Sequence, residues 1–189
     1  DQLAKGVVCA SAGNHAQGFA YSCKKLNVKG VVFMPIPSPQ QKVNQTKMFG
    51  ENFVEVKLVG DTFDDTAKAA KEYTAAHGMT FIPPFDHIDV VIGQGTVGLE
   101  IMQELPEVDN IVVAIGGGGL AAGVAVVAKL MAKANGRKVK VYGVQSEHAA
   151  AFPPSLKAGK PVEIQTTPTI ADGIAVSKPG KVPFELIRK

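Results

Sequence analysis

Short runs of β-branched and other apolar residues alternate along this chain with longer stretches whose apolar residues recur every three or four positions. The short runs, such as 6–10, 30–34 and 111–115, predict buried strands. The longer stretches, such as 15–26, predict helices with one apolar face. Because alternating strands and helices build a parallel sheet covered by helices, the pattern predicts an α/β fold.

The remaining elements of the first half follow from the same reasoning. Helices are predicted from Pro39 to Gly50 and, after Asp61 or Thr62 as N-cap, up to Gly78, and strands at 54–58 and 80–82. Residues 54–58 alternate apolar and charged side chains, as expected of a half-exposed strand at a sheet edge.

The second half is less regular. Gly93-Gln-Gly-Thr96 predicts the start of a helix, the nearly all-apolar stretch 120–133 predicts a buried helix, and 139–144 predicts a strand. Residues 148–180 lack periodicity and are expected to form irregular surface structure. Proline and glycine interrupt the alternation at 84–95, where we expect a change of domain.

Charge and composition exclude several classes of function. The net charge is +3 and basic residues are scattered along the chain, so no nucleic-acid-binding surface is expected. No run of about 18 apolar residues could cross a membrane, and we expect a cytoplasmic protein. Cys9 and Cys23 lie among apolar neighbours and are expected to be buried thiols. His77, His87 and His148 lack ligand spacing, so no metal is expected.

Four consecutive glycines, Gly116–Gly119, lie between a predicted strand and a predicted helix. Glycine lets backbone N–H groups approach a ligand without a Cβ in the way, and a helix N-terminus attracts negative charge. We name this segment the tetraglycine turn and expect it to bind a phosphate. No G-x-x-x-x-G-K-[ST] motif is present, which excludes a P-loop nucleotide site.

A dinucleotide site is the alternative for the same turn. Gly117, Gly119 and Ala122 fit G-x-G-x-x-A, the fingerprint of Rossmann-like binding modules. The next strand ends near Gln145 and Glu147, where an acidic side chain could bind a ribose. This alternative explains nothing about the first predicted strand.

A second polar turn follows that first strand, in the octapeptide Ser11-Ala-Gly-Asn-His-Ala-Gln-Gly18. Ser11, Asn14 and His15 lie at the carboxyl end of the strand, where open α/β sheets bind ligands. We name Ser11–His15 the asparagine turn. Ser11 or Asn14 could instead simply cap the following helix.

Five motifs occur in chain order: the octapeptide, Pro83-Pro84-Phe-Asp86, Gly93-Gln-Gly-Thr96, Gly116–Leu120 and Ala171-Asp-Gly173. Together they resemble the threonine dehydratases, members of fold type II of the pyridoxal-phosphate-dependent enzymes. The resemblance covers essentially the whole chain. It implies two open parallel sheets covered by helices, as in the β subunit of tryptophan synthase. Residues 1–90 would form a small, mobile domain and 91–189 part of a larger cofactor-binding domain.

The resemblance also implies roles for individual residues. Gly116, Gly117, Gly118, Gly119 and Leu120 would bind the cofactor phosphate, Asn14 the pyridoxal ring oxygen, and Gly173 would lie near the ring. Ser11, Gly13, Asn14 and His15 would surround the substrate carboxylate.

Two departures from the family pattern stand out. The lysine that binds the cofactor covalently lies in a Ser-x-Lys-x-Arg motif, and no such motif occurs in this chain. No catalytic residue is therefore assigned, and the chain is expected to be a central fragment that is inactive alone. Racemase-like relatives place a cation-binding Glu after Gly-Val, whereas this chain has Gly143-Val-Gln145.

The activity implied for the intact enzyme is that of a lyase. It would convert L-threonine to 2-oxobutanoate and ammonia with pyridoxal 5'-phosphate, a step of isoleucine biosynthesis. Catabolic threonine dehydratases have the same fold and motifs, so the resemblance leaves a catabolic role open. Serine dehydratase or serine racemase of the same family is the alternative. The expected partners are a small amino-acid substrate and, in a dimer or tetramer, further copies of the enzyme.

Overall fold

The computed structural model describes residues 3–189 of the chain. Two compact units divide between Pro84 and Phe85. The strands of each unit pair in parallel and are accompanied by helices, which confirms the predicted α/β class with two parallel sheets. The assignment of residues 1–90 to a small, mobile domain stays a prediction.

Between residues 3 and 84, the described part of the first unit contains four strands and three helices. The strands are β1 (Val7–Ala10), β2 (Gly30–Met34), β3 (Val54–Leu58) and β4 (Thr80–Phe81). The helices are α1 (Asn14–Leu26), α2 (Gln40–Gly50) and α3 (Phe63–His77). The strand order β3-β2-β1-β4 places β3 at an edge, as predicted, and every bound lies within one or two residues of its predicted position.

Both faces of this sheet are covered. Successive side chains of β1 point to opposite faces, so Cys9 packs with Phe19 of α1 while Val8 packs with Ala70 of α3. Cys9 and Cys23 are unpaired and buried, as expected, and burial raises the pKa of the Cys23 thiol to about 11. The first unit therefore encloses an apolar layer on each side of its sheet.

The second unit contains two paired strands and four helices. Its elements are α4 (Ile88–Glu104), β5 (Asn110–Ala114), α5 (Gly119–Ala134), β6 (Lys140–Val144), α6 (Phe152–Ala158) and α7 (Lys181–Ile187). Among residues 3–189, no helix is long and apolar enough to cross a membrane.

Helix α4 starts earlier than predicted. Its N-cap is His87, whose Nδ1 accepts a hydrogen bond from the Asp89 N–H at 3.3 Å. The prediction that Gly93–Thr96 starts the helix is therefore wrong. An imidazole accepts the free N–H of the first turn here, whereas the usual sequence signal of an N-cap is a hydroxyl or a carboxylate side chain.

Glycines bring α4 and α5 into close contact. Gly95 and Gly98 of α4 face the segment of α5 that contains Gly123. A Cβ on Gly123 would lie 2.5 Å from the Val91 carbonyl oxygen, and one on Gly98 would lie 3.0 Å from the Val124 Cα. Of the two glycines in the motif predicted to start α4, Gly95 thus serves helix packing, whereas nothing lies within 4 Å of a Cβ on Gly93.

Two further expectations for this unit are wrong in part. Residues 148–180 are not wholly irregular, because α6 forms there with its prolines in the first turn, where helical N–H groups lack carbonyl partners. Helix α5 is not buried all round, since Leu130 is 63% exposed.

Candidate functional site

The asparagine turn joins β1 to α1 without capping the helix. The Ser11 N–H donates to the Phe33 carbonyl at 3.0 Å, and the Ser11 hydroxyl accepts the Gly13 N–H at 3.2 Å. Gly13 is the N-cap of α1, and no side chain hydrogen-bonds to the first turn. Neither Ser11 nor Asn14 serves as the cap, so the alternative of a simple capping role is wrong.

Asn14 is the first residue of α1 and is exposed. In the described part of the chain its side-chain amide makes no hydrogen bond, so its donor and acceptor groups are available to a ligand. The positive end of the α1 dipole lies at the same residue, which favours a negatively charged partner.

The ring of His15, unlike the side-chain amide of Asn14, is bound to a backbone group of the protein. Its Nε2 lies 3.2 Å from the Ile82 carbonyl oxygen at the end of β4, and a carbonyl can only accept, so Nε2 carries the proton. Burial lowers the pKa of His15 below its ordinary value, and the hydrogen bond to Ile82 opposes this effect. The ring is therefore neutral and bound to the segment just after β4, which leaves the backbone N–H as the donor of His15 that can meet a ligand.

The tetraglycine turn joins β5 to α5, and a Cβ would collide at Gly117 and Gly118 and meet tight contacts at Gly116 and Gly119. Gly118 adopts φ +101°, and its Cβ would lie 2.7 Å from the Phe152 ring. A Cβ on Gly117 would enter the Phe85 ring, and one on Gly116 would lie 3.2 Å from the Ile174 Cα.

The backbone N–H groups in the first turn of α5 are the hydrogen-bond donors that the tetraglycine turn offers to a ligand. Gly118 is the N-cap, and no side chain hydrogen-bonds to the turn. Its carbonyl accepts the Ala122 N–H at 2.8 Å, and the Gly117 carbonyl accepts the Gly180 N–H at 2.9 Å. Both carbonyls are thus directed to protein donors, while uncapped N–H groups remain at the positive end of a helix, a combination that fits a phosphate.

Gly173 and Leu120 lie in different surroundings. Gly173 is exposed in a short 3₁₀ turn, and the next residue, Ile174, packs against Gly116 at the start of the tetraglycine turn. Leu120 is half-buried and packs against the apolar cluster between α5 and the β5–β6 sheet. The structure thus brings the segment of Gly173 to the turn, whereas the Leu120 side chain belongs to the core.

Several partners of this site were not assigned from the sequence. Phe85 packs on Gly117, and Asp86 accepts the Val182 N–H at 2.8 Å in the first turn of α7. The motif Pro83-Pro84-Phe-Asp86 signals both residues, but only the folded chain shows that α7 and the tetraglycine turn are their partners.

Comparisons with known proteins show the family of the chain. Residues 2–189 match the profile of a family described as "Pyridoxal-phosphate dependent enzyme". The biosynthetic L-threonine dehydratase of Halalkalibacterium halodurans is 50% identical over 100% of this chain and 45% of its own length. The catabolic L-threonine dehydratase of Escherichia coli K12 is 45% identical over 98% of this chain and 54% of its own length. The chain thus spans about half the length of the curated relatives it matches.

Solved structures show the same likeness. Processed threonine deaminase isoform 2 of Solanum lycopersicum superposes with a TM-score of 0.90 at 39% identity, covering 99% of this chain and 52% of that one. Maize serine racemase has the same TM-score of 0.90 at 30% identity, covering 100% of this chain and 55% of that one. The fold is common to both, and the identity is higher to the deaminase.

Proposed function

This chain belongs to the family of pyridoxal-phosphate dependent enzymes, and from that premise we propose that the protein dehydrates and deaminates L-threonine to 2-oxobutanoate and ammonia. Identities of 43–50% to biosynthetic threonine dehydratases, against 30% to a serine racemase, support threonine over serine. The proposal depends on one structural observation: α5 follows a turn made only of glycines and begins without a side-chain cap.

The tetraglycine turn would hold the cofactor phosphate through the N–H groups at the start of α5. Pyridoxal phosphate supplies an electron-withdrawing ring that makes the α-proton of a bound amino acid acidic enough to remove. The Asn14 amide would donate to the ring oxygen, and Gly173 would lie beside the ring. The match of residues 2–189 to the family of pyridoxal-phosphate dependent enzymes supports the cofactor over the dinucleotide alternative.

The asparagine turn would hold the substrate carboxylate. The Ser11 hydroxyl already accepts the Gly13 N–H, so its own proton is available to a carboxylate oxygen. The backbone N–H groups of Asn14 and His15 lie at the uncapped start of α1, where the dipole adds to the attraction. These groups would fix the orientation of the amino acid and take no proton from it.

Several wider features belong to the same proposal. No Ser-x-Lys-x-Arg motif occurs in this chain, so the isolated chain would bind ligands without turning them over. The first unit would act as the small, mobile domain. The intact enzyme would work in the cytoplasm as a dimer or tetramer, as a lyase of isoleucine biosynthesis.

Titration separates the cofactor proposal from its rival. The chain is titrated with pyridoxal phosphate and with NAD⁺, and binding is followed by calorimetry and by the ³¹P NMR line of the phosphate. We expect saturable binding of pyridoxal phosphate, competition by inorganic phosphate, and no binding of NAD⁺. Binding of NAD⁺ without a response to pyridoxal phosphate would overturn the proposal.

The substrate is tested on the full-length protein. Release of keto acid from L-threonine and from L-serine is measured side by side, together with the formation of D-serine. We expect a higher kcat/KM with threonine. Racemisation of serine without release of keto acid would instead identify a racemase.

A further inference from the structure

Gln145 follows β6 directly, and its side-chain amide contacts three backbone groups in two segments of the second unit. The Nε2 donates to the Ile115 carbonyl at 3.2 Å and to the Ala149 carbonyl at 3.3 Å. The Oε1 accepts the Phe152 N–H at 2.9 Å. Both N–H donors and the oxygen of the amide are thereby used within the protein.

Two of these three groups border the tetraglycine turn. Ile115 immediately precedes Gly116, so its carbonyl belongs to the peptide group that starts the turn. The Phe152 ring lies against the middle of the turn, 2.7 Å from the position that a Cβ on Gly118 would take. Gln145 therefore holds the start of the turn and the backbone of the ring that packs on it.

We propose that Gln145 is a positioning residue for the tetraglycine turn, which fixes the direction of the turn's N–H groups by holding the Ile115 carbonyl and the Phe152 backbone. The chemistry requires a neutral amide, because one group must donate twice and accept once. Neither a carboxylate nor a thioether of the same length can do this. As far as it concerns phosphate, the proposal rests on the proposed function.

Three variants of the full chain test it: Gln145→Met, Gln145→Glu and the control Gln103→Met, an exposed glutamine of α4. The readout without cofactor is amide hydrogen exchange by NMR at Gly180 and Ala122, which donate to the Gly117 and Gly118 carbonyls. The Arg137 N–H, bonded to the Ala132 carbonyl at the far end of α5, is the reference.

In Gln145→Met we expect exchange at Gly180 and Ala122 to speed up about tenfold relative to the Arg137 reference, the effect of losing one such interaction. The Gln103→Met control should leave the ratio unchanged. A purely structural role would accelerate all three amides equally. Equal acceleration, or none, would overturn the positioning role.

The Gln145→Glu variant tests which groups are held. Its carboxylate still accepts the Phe152 N–H but opposes the two carbonyl oxygens with a third oxygen. We expect the same fast exchange at Gly180 and Ala122 as in Gln145→Met, because a carboxylate cannot donate to either carbonyl. Exchange as slow as in the unmodified chain would overturn the claim that Gln145 holds these carbonyls.

Affinity for pyridoxal phosphate, measured by calorimetry, separates this proposal from the proposed function. We expect binding to Gln145→Met to be about tenfold weaker than to the unmodified chain and to Gln103→Met. Changed exchange without cofactor binding by the unmodified chain would support the positioning role and refute the proposed function. Equal affinity and equal exchange in all three proteins would refute the positioning role alone.

Discussion

The two units of this chain use the same elements but cover their sheets differently. In the first unit, helices pack on both faces of four strands, with α1 on one face and α3 on the other. In the second unit, two strands pack on helices through one face only, and Val112, Tyr142 and Val144 on the opposite face are 69%, 48% and 50% exposed. Parallel sheets are ordinarily buried on both faces, so the first unit should be the more stable of the two.

The largest expected effect comes from the core of the second unit. Phe184 is fully buried with Ile115, Ala121 and Phe152, and Phe184→Ala should lower the free energy of unfolding of this unit by about 3–5 kcal/mol. Met34→Ala is the counterpart in the first unit. Hydrogen exchange resolved by unit should show that each variant destabilises its own unit. Equal loss in both units would show that the chain unfolds as a single body.

The close contact of α4 and α5 gives the next largest effect. Gly123→Ala places a Cβ against the Val91 carbonyl oxygen and should cost about 1–3 kcal/mol in denaturant unfolding. Gly93→Ala is the matched control, because nothing lies within 4 Å of its Cβ, and it should stabilise α4 by about 0.5–1 kcal/mol. Equal effects of both substitutions on the free energy of unfolding would show that close packing of α4 on α5 does not explain the cost of Gly123→Ala.

A smaller expected effect is a pH dependence of stability in the first unit. Burial lowers the pKa of His15 in the folded first unit below its ordinary 6.5, so the unfolded chain binds a proton first as the pH falls. Stability should therefore be complete above pH 6.5 and decline as the pH falls toward the folded pKa. His15→Gln should flatten this decline in pH-dependent unfolding of the first unit. An unchanged profile would assign the decline to another group.

The smallest effect on stability concerns the exposed face of the second unit. Val112→Thr should change the free energy of unfolding by less than about 0.5 kcal/mol, because the side chain already faces solvent. It should nevertheless reduce self-association, measured by light scattering across a concentration series. Glu55→Gln on β3 is the control in the first unit. If Val112→Thr leaves self-association unchanged, the exposed face of the second unit does not mediate it.

The sequence predicts the first unit better than the second for a physical reason. Strands buried on both faces are continuous apolar runs, and β1 and β2 were located from such runs within one residue. Helix α4 was misplaced because its cap is an imidazole and its glycines serve packing against α5. Helix α6 was missed because prolines, which break helices elsewhere, lie in its first turn.

The candidate site divides in the same way. Both turns were predicted, because glycine and short polar residues after a strand are local signals. The partners that shape them were not, since the Phe85 ring on Gly117 and the Gln145 amide on Ile115 depend on contacts between segments remote in sequence. Local sequence thus indicates where such turns form, while contacts between remote segments decide how firmly they are held.

The tetraglycine turn has a consequence at the level of the gene. Glycine codons share their first two bases, so a single-base change in those bases introduces a side chain or a stop codon, and changes in the third base are silent. Because a Cβ collides at Gly117 and Gly118, the codons of these two positions offer no tolerated neighbour. We therefore expect sequence change in this segment to fall on the residues around Gly117 and Gly118 and to leave these two glycines in place.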